Sequence, residues 1–231
     1  DIKKAYDHVF IDEWESFTDT WSSHETHKAL GLRANWEGFM DAWKRAKHIC
    51  LLDAFITKKT TSFLEEMGDT YRVIGSDYPP PKRSMRFFDF PERTSDNKKV
   101  AGVMKKISEE LKIGKNLLVF YPRSSEMKKT GLPDIESFSE AIREEAGISK
   151  DEVFVYYGDQ DEEIKDTLKD TNRVWPKARL VVCNSCVTVG VSFTRVHFDK
   201  QYIFIPSFLT SRALTQFTYR SRNLKENLVD V

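Results

Sequence analysis

The chain is poor in cysteine: 231 residues contain three, Cys50, Cys183 and Cys186. An odd, low count at this length argues against a disulfide framework and points to a reducing compartment. No run of about 18 apolar residues occurs, so no membrane-spanning helix is expected, and no signal-peptide pattern opens the sequence. Net charge is also lacking, since Lys+Arg and Asp+Glu are equal at 36 each. The whole-chain balance therefore argues neither for nor against nucleic acid, because a local basic stripe on a neutral chain can still follow a phosphate backbone. No internal repeat or low-complexity tract is visible. The sequence starts at Asp1, a few residues ahead of an apolar run, and both ends are expected to be cuts through a longer protein.

What is present is a globular composition, 40% hydrophobic and 13% aromatic, enough for one large domain or two smaller ones. Apolar runs alternate with amphipathic stretches, the pattern of a parallel sheet covered on both faces. Strands are predicted over 8–11, 48–52 and 71–74, with helices over 36–46 and 60–67. Pro79-Pro80-Pro81 is stiff and cannot enter a sheet interior. Residues 76–85 are therefore read as a linker between a first unit, 1–75, and a second, 86–231. In the second unit, strands are predicted over 86–90, 116–121, 153–157, 178–183 and 202–205. Helices are predicted there over 97–111, 133–146, 162–170 and 210–221. Trp36, Phe39, Met40 and Trp43 have helical spacing and read as core, with base stacking as the alternative.

Five segments could carry chemistry. The run Val9-Phe10-Ile11 ends in Asp12-Glu13, which places two carboxylates at the carboxyl edge of a parallel sheet, where ligands of open α/β folds bind. By itself this is equally a plain strand end. Leu51-Leu52-Asp53-Ala54-Phe55-Ile56-Thr57 repeats the strand-then-Asp pattern one helix later. Leu117 to Phe120 lead into Tyr121-Pro122-Arg123-Ser124-Ser125, hydroxyls and an arginine suited to phosphate, or else a solvated loop. Arg179 to Cys183 run into Asn184-Ser185-Cys186-Val187-Thr188-Val189-Gly190, small residues that would let a phosphodiester approach backbone N–H groups. Gln216 and Arg220 are four apart, on one face of a helix, with Arg222 beyond them. Cys183 and Cys186, with His24 and His27 far away in sequence, could be drawn into a zinc site, but small buried hydrophobes are the better reading of the cysteines.

The order of these segments resembles superfamily 2 helicases from motif II to motif VI. The stretches VFIDEWESF, LLVFYPRSSEM, ARLVVCNSCVTVGVSF and QFTYRSRNL are most similar to the replication origin-binding protein helicases, a group that includes the herpesvirus origin-binding proteins. The resemblance implies an α/β fold of two RecA-like lobes with parallel sheets, the first incomplete. It implies an ATP-dependent DNA helicase or translocase acting in replication, with ATP and Mg²⁺ as cofactors. Asp12 would be the magnesium-associated acid and Glu13 the base that orients water. Asp53 would lie in the segment coupling nucleotide to nucleic acid. Gln216 would orient the nucleotide, and Arg220 and Arg222 would meet its γ-phosphate. Asp12, Glu13, Gly190 and Arg220 would line the nucleotide cleft, and Arg123, Ser124, Ser185 and Thr188 would contact nucleic acid. The implied partner is DNA, single-stranded or at a replication fork, with RNA left open, together with replication proteins and no membrane. The implied location is intracellular, in the nucleus or a viral replication compartment.

The sequence departs from that pattern in three places. It contains no Gly-x-x-x-x-Gly-Lys-Ser/Thr loop, which in the family order would precede Asp1; without it the fragment alone is expected to be inactive. Tyr219 stands where motif VI usually has glycine. The carboxyl-terminal origin-recognising region of the herpesvirus proteins has no counterpart. Two rival readings follow: a nucleic-acid-binding module with a degenerate motor, which Tyr219 favours, and an unrelated α/β enzyme such as a nucleotide-dependent transferase. The motor reading expects Asp12 and Glu13 to confront Arg220 and Arg222 across a gap sized for a triphosphate.

Overall fold

Two short apolar runs, each ending in aspartate, pair first. β1 (His8–Ile11) and β2 (His48–Leu51) lie parallel, with His8 beside His48 and Ile11 beside Leu51. The computed structural model describes residues 6–21, 31–76, 81–123, 131–187, 191–206 and 211–231. By its internal contacts the chain divides into two units, Asp1–Asp77 and Tyr78–Val231.

In the first unit, α1 (Trp14–Thr20), α2 (Leu32–Arg45) and α3 (Lys58–Met67) surround the strand pair in sequence. Their apolar positions are aromatic and meet one another. Trp14 contacts Phe17, Phe39, Trp43 and Phe63 at ring-centroid distances of 5.2–6.3 Å. Trp43 is buried, and its indole N–H donates to Asp69 at 2.9 Å. The stripe Trp36, Phe39, Trp43 is thus packed into this cluster. Helix α2 starts ahead of its predicted beginning at residue 36. Its first turn is largely exposed and so lacks the apolar signal that marks a buried face. The strand expected over 71–74 does not form. Tyr71, Val73 and Ile74 are exposed and the described residues offer them no ladder; a β-branched stretch becomes a strand only when a neighbour takes its N–H and C=O groups.

The second unit is a six-stranded, wholly parallel sheet in the order β3-β8-β7-β4-β6-β5. Its strands are β3 (Ser84–Arg86), β4 (Leu117–Phe120), β5 (Val153–Tyr156), β6 (Leu180–Cys183), β7 (Lys200–Ile203) and β8 (Leu228–Asp230). The helices are α4 (Asp96–Lys112), α5 (Ile135–Ala146), the short α6 (Glu162–Asp166) and α7 (Thr171–Val174), and α8 (Ser211–Thr218). Period-two alternation sends side chains to two cores. Leu117, Val119, Leu180, Val182 and Tyr202 meet α4 and α5 through Val103, Ile107, Leu111, Phe138 and Ile142. Leu118, Phe120, Val181, Cys183 and Ile203 meet Trp175, Phe193, Phe198 and Phe217 on the other face. A parallel sheet needs both faces covered, and the alternation of strand and helix signals predicts this α/β arrangement of parallel strands. Cys183 is buried and free of disulfide, its S–H directed at the Val119 carbonyl at 3.7 Å. It packs as a small hydrophobe.

Several predicted boundaries move, three of them for reasons visible in the sheet. The strand expected over 86–90 forms instead at Ser84–Arg86, inside the expected linker, because its ladder partner β8 is only three residues long; beyond it Val231 N–H donates to Arg86 O and Phe88 N–H to Val231 O, both at 2.8 Å. β7 begins at Lys200, since Lys200 and Gln201 are buried polar residues inside the sheet. Helix α8 stops at Thr218, because the next residues are drawn into a bridge between Phe193 and Ser221. No helix among the described residues is long and apolar enough to cross a membrane.

Candidate functional site

The turn after β1 brings two sequence segments together. Asp12 is exposed, and its Oδ1 accepts the N–H of Glu13 at 2.9 Å. Glu13 lies in the left-handed region, φ 52°, where a side chain with a β-carbon costs about 1–2 kcal/mol. Strain of this kind persists only where the surroundings hold it. Here Leu52 N–H donates to Ile11 O at 2.8 Å and Trp14 N–H to Leu52 O at 3.0 Å, so the turn is stitched to the end of β2 on both sides of Glu13.

The residue that joins the two segments is Glu15, which the sequence reading passed over. It is 4% exposed. One carboxylate oxygen accepts the Thr57 N–H at 2.7 Å, the Thr57 hydroxyl at 2.8 Å and the Thr60 hydroxyl at 2.5 Å. Its own N–H donates to Asp53 at 2.9 Å, while Asp53 also accepts the Phe55 N–H at 2.7 Å. Burial pushes the Glu15 pKa up, but the hydrogen bonds from Thr60 and Thr57 outweigh it and hold the carboxyl below its ordinary range. A signal was available: a glutamate two residues past the acid pair, with two threonines after the second strand–Asp turn. Sequence spacing could not say that they meet.

In the second unit the candidate residues fall into two groups. Arg123 and Ser185 follow β4 and β6, adjacent strands of the sheet, at its carboxyl edge. Ser185 is exposed and Arg123 half-buried. Ser124, Thr188 and Gly190 lie outside the described residues, as do His24 and His27. A cleft of about 580 Å³ opens at this edge, lined by Phe88, Phe90, Lys99, Tyr121, Arg123 and Phe204 among others. No local stretch of sequence marks it, since its wall combines residues from distant parts of the chain, from Phe88 to Val231.

The second group is the arginine turn. Gln216 lies on α8, but Arg220 and Arg222 sit beyond the helix end, so the expectation that Gln216 and Arg220 share a helix face does not hold. The last turn tightens, with Tyr219 N–H on Gln216 O at 3.2 Å and Arg220 N–H on Phe217 O at 3.0 Å. Phe193 then captures the backbone: its N–H donates to Arg220 O and its carbonyl accepts from Arg222 N–H, both at 2.7 Å. The side chains follow, Arg220 to Val191 O at 3.4 Å and Arg222 to the Ser192 hydroxyl at 3.2 Å. Arg83, just before β3, also donates to the carbonyls of Ser221 and Arg222. The turn therefore lies toward the amino ends of the strands, away from Arg123 and Ser185.

Among the described residues no cluster of three or more metal-ligating side chains forms. A lone exposed carboxylate beside a second acid still suits magnesium, which keeps several waters and takes one or two protein carboxylates plus phosphate oxygens.

No family model matches the sequence. The chain is 24% identical over 233 residues to R8 of Acanthamoeba polyphaga mimivirus, an uncharacterized protein named as a candidate helicase; the alignment covers 96% of this chain and 20% of that protein. Among solved structures, it superimposes on the helicase Lhr of Mycobacterium smegmatis bound to single-stranded DNA and AMP-PNP, with TM-score 0.63 and 15% identity over 96% of this chain and 28% of that one. It likewise matches the DUF1998 helicase MrfA bound to DNA and AMPPNP, with TM-score 0.59, 15% identity, and 96% and 30% coverage. The match to Dbp5 of S. cerevisiae bound to RNA and ADP BeF3 has TM-score 0.58, 10% identity, and 97% and 53% coverage. The fold is thus the α/β, parallel-sheet architecture of RecA-like helicase domains, and the sequence is helicase-like. The chain spans a fifth of the length of the curated relative it matches.

Proposed function

We propose that this chain is part of an ATP-dependent nucleic-acid motor, a DNA helicase or translocase of the replication origin-binding type, with the first unit as the rear of one motor lobe and the second unit as the other lobe. The observation that carries the reading is the Glu15 junction. Glu15, two residues past the acid pair, ties the turn after β1 to the Asp53–Thr60 segment after β2, the contact through which a change at Asp12 and Glu13 would reach the second strand turn. A solvated strand end would need no such buried carboxylate.

In this reading Asp12 and Glu13 are the hydrolytic acids. Asp12 would hold magnesium, which when bound neutralises charge on the nucleotide phosphates. Glu13, half-buried in its left-handed turn, would accept the proton of the attacking water. Arg220 and Arg222 would stabilise charge on the transferred phosphoryl, and Gln216 would orient the nucleotide. Arg123 and Ser185, with Ser124 and Thr188, would contact the phosphate backbone, and Gly190 would line the nucleotide cleft. The liganded states of Lhr and MrfA, DNA with an ATP analogue, support ATP as the nucleotide and DNA as the track. The ADP BeF3 and RNA on Dbp5 keep RNA open.

A second reading, a nucleic-acid-binding module with an inactive motor, is favoured by Arg220 and Arg222 turning onto Val191 and Ser192 of their own unit. ATP turnover by the full-length protein with and without DNA separates the two. DNA-stimulated turnover lost in Glu13→Gln supports the motor. DNA binding without turnover supports the module.

A further inference from the structure

We propose that Tyr219 and Arg83 form a latch that positions the arginine turn, tying the geometry of Arg220 and Arg222 to the chain segment that enters the second unit. The inference rests on the motor reading for its catalytic consequence, though the latch itself does not.

Three contacts build it. The Tyr219 hydroxyl donates to the carbonyl of Pro81 at 3.1 Å. The Arg83 guanidinium lies over the Tyr219 ring, 5.5 Å from its centroid. The same guanidinium donates through Nη2 to the carbonyls of Ser221 and Arg222, the latter at 3.0 Å. Residues 219–222 are therefore held from one side by the entering segment and from the other by Phe193. Neither grip is local: Tyr219 and Pro81 are 138 positions apart, and so are Arg83 and Ser221.

The choice of residue is informative. Arg83 is half-buried, and burial pushes its guanidinium pKa down. Its Nε and Nη1 have no hydrogen-bond partner among the described residues. A desolvated cation with two of its nitrogens unmatched is a poor stabiliser compared with an apolar side chain of the same size. What it supplies is direction, since a single guanidinium nitrogen, Nη2, shared between two successive carbonyls fixes the turn's orientation as an apolar contact would not. Pro81 to Arg83 lead directly into β3, the first strand of the second unit, so the latch joins the approach to that strand to the arginine turn. A displacement there is passed directly to the ring of Tyr219 and to the carbonyls flanking Arg222. Tyr219 and Arg83 thus act as positioning residues.

The test uses the full-length protein with Tyr219→Phe, Tyr219→Ala, Arg83→Lys and Arg83→Met, read by amide exchange and by steady-state ATP turnover. Exchange over 219–223 is expected to rise about tenfold or more in Arg83→Met and Tyr219→Ala, with β4 and β6 unchanged. Turnover number is expected to fall about tenfold while nucleotide affinity stays within about twofold, the signature of an interaction needed only in the transition state. Tyr219→Phe and Arg83→Lys, which keep the ring or the charge, are expected to fall in between, and they decide the matter if the larger changes fail to fold. Unchanged exchange over 219–223 in Arg83→Met overturns the latch. Faster exchange with unchanged turnover overturns the positioning role. A wild-type protein without ATP turnover overturns the motor reading, and the exchange result then decides the latch alone.

Discussion

Lys200 and Asp230 meet at 2.6 Å with both side chains sealed from solvent. Lys200 also reaches Glu110 at 2.5 Å, Arg86 forks onto Asp230 at 2.6 and 2.8 Å, and the Tyr202 hydroxyl donates to Glu110 at 2.9 Å. Four elements, β3, β7, β8 and α4, are joined through this network. Removing one partner leaves a buried charge without its match. Asp230→Ala is expected to destabilise the second unit by about 3–5 kcal/mol, whereas Lys200→Met combined with Asp230→Leu costs much less than the two single changes together. Urea unfolding followed through Trp175, the buried tryptophan of that unit, measures both. A loss below about 1 kcal/mol for Asp230→Ala would reject the network's role.

Stability should fall on the acid side, for a reason that can be assigned. Burial raises the Asp230 pKa, but the hydrogen bonds from Arg86 and Lys200 outweigh it and hold the carboxyl below its ordinary 3.8; Glu15 is likewise held below its ordinary 4.5. A carboxyl with a depressed pKa in the folded state binds its proton more readily when unfolded. Its contribution is complete above the unfolded pKa and is lost as pH falls through the folded one. Glu15→Gln is therefore expected to flatten the acid limb of first-unit unfolding, followed through Trp14, Trp21, Trp36 and Trp43. Identical pH slopes for the variant and the wild type would contradict this.

On the motor reading, Glu13 would set backbone strain against activity. Its left-handed backbone is a conformation that glycine adopts freely. Glu13→Gly is expected to stabilise the first unit by about 0.5–1 kcal/mol, after glycine's larger unfolded-state entropy is deducted. In the full-length protein the same change should abolish ATP turnover. Differential scanning calorimetry and a phosphate-release assay report the two effects separately. A variant that is less stable would mean that the turn carries no strain.

The two arginines should not be equivalent. Arg222 is exposed and bound through its side chain to one serine hydroxyl, while Arg220 is half-buried against Val191. In the full-length protein, Arg220→Ala is expected to lower turnover by about 10³. Arg222→Ala should lower it less and be partly reproduced by Ser192→Ala, which alters the partner that orients it. Equal losses for both arginines, with Ser192→Ala silent, would remove the distinction.

The sequence announced the sheet more clearly than the sites. Leu117–Phe120 and Leu180–Cys183 are four-residue apolar runs, fully buried, and their signal survives any reading. β8 leaves no such signal because Leu228-Val229-Asp230 is short and ends in a charge whose burial depends on Lys200 and Arg86 from distant strands. The apolar signal of β7 starts two residues late for the matching reason, its first two residues being a lysine and a glutamine. Composition cannot tell a buried lysine from a solvated one; the difference lies in partners about 30 to 90 positions away. The same holds at the site. Asp12 and Glu13 stand out locally as acids after a strand, while Glu15 gains its meaning from Thr57 and Thr60, and Tyr219 from Pro81 and Arg83.

β3 finds its ladder partner, among the described residues, only in β8, and their paired residues are 144 positions apart. During synthesis, a ribosome delivers the strand that opens the second unit long before it delivers the one beside it. Until Leu228–Asp230 emerge, the cation of Lys200 has no Asp230 and the fork of Arg86 has nothing to grip. Until then β3 lacks its partner and one margin of the sheet stays open, and it is in that interval that a chaperone or a protease would find it.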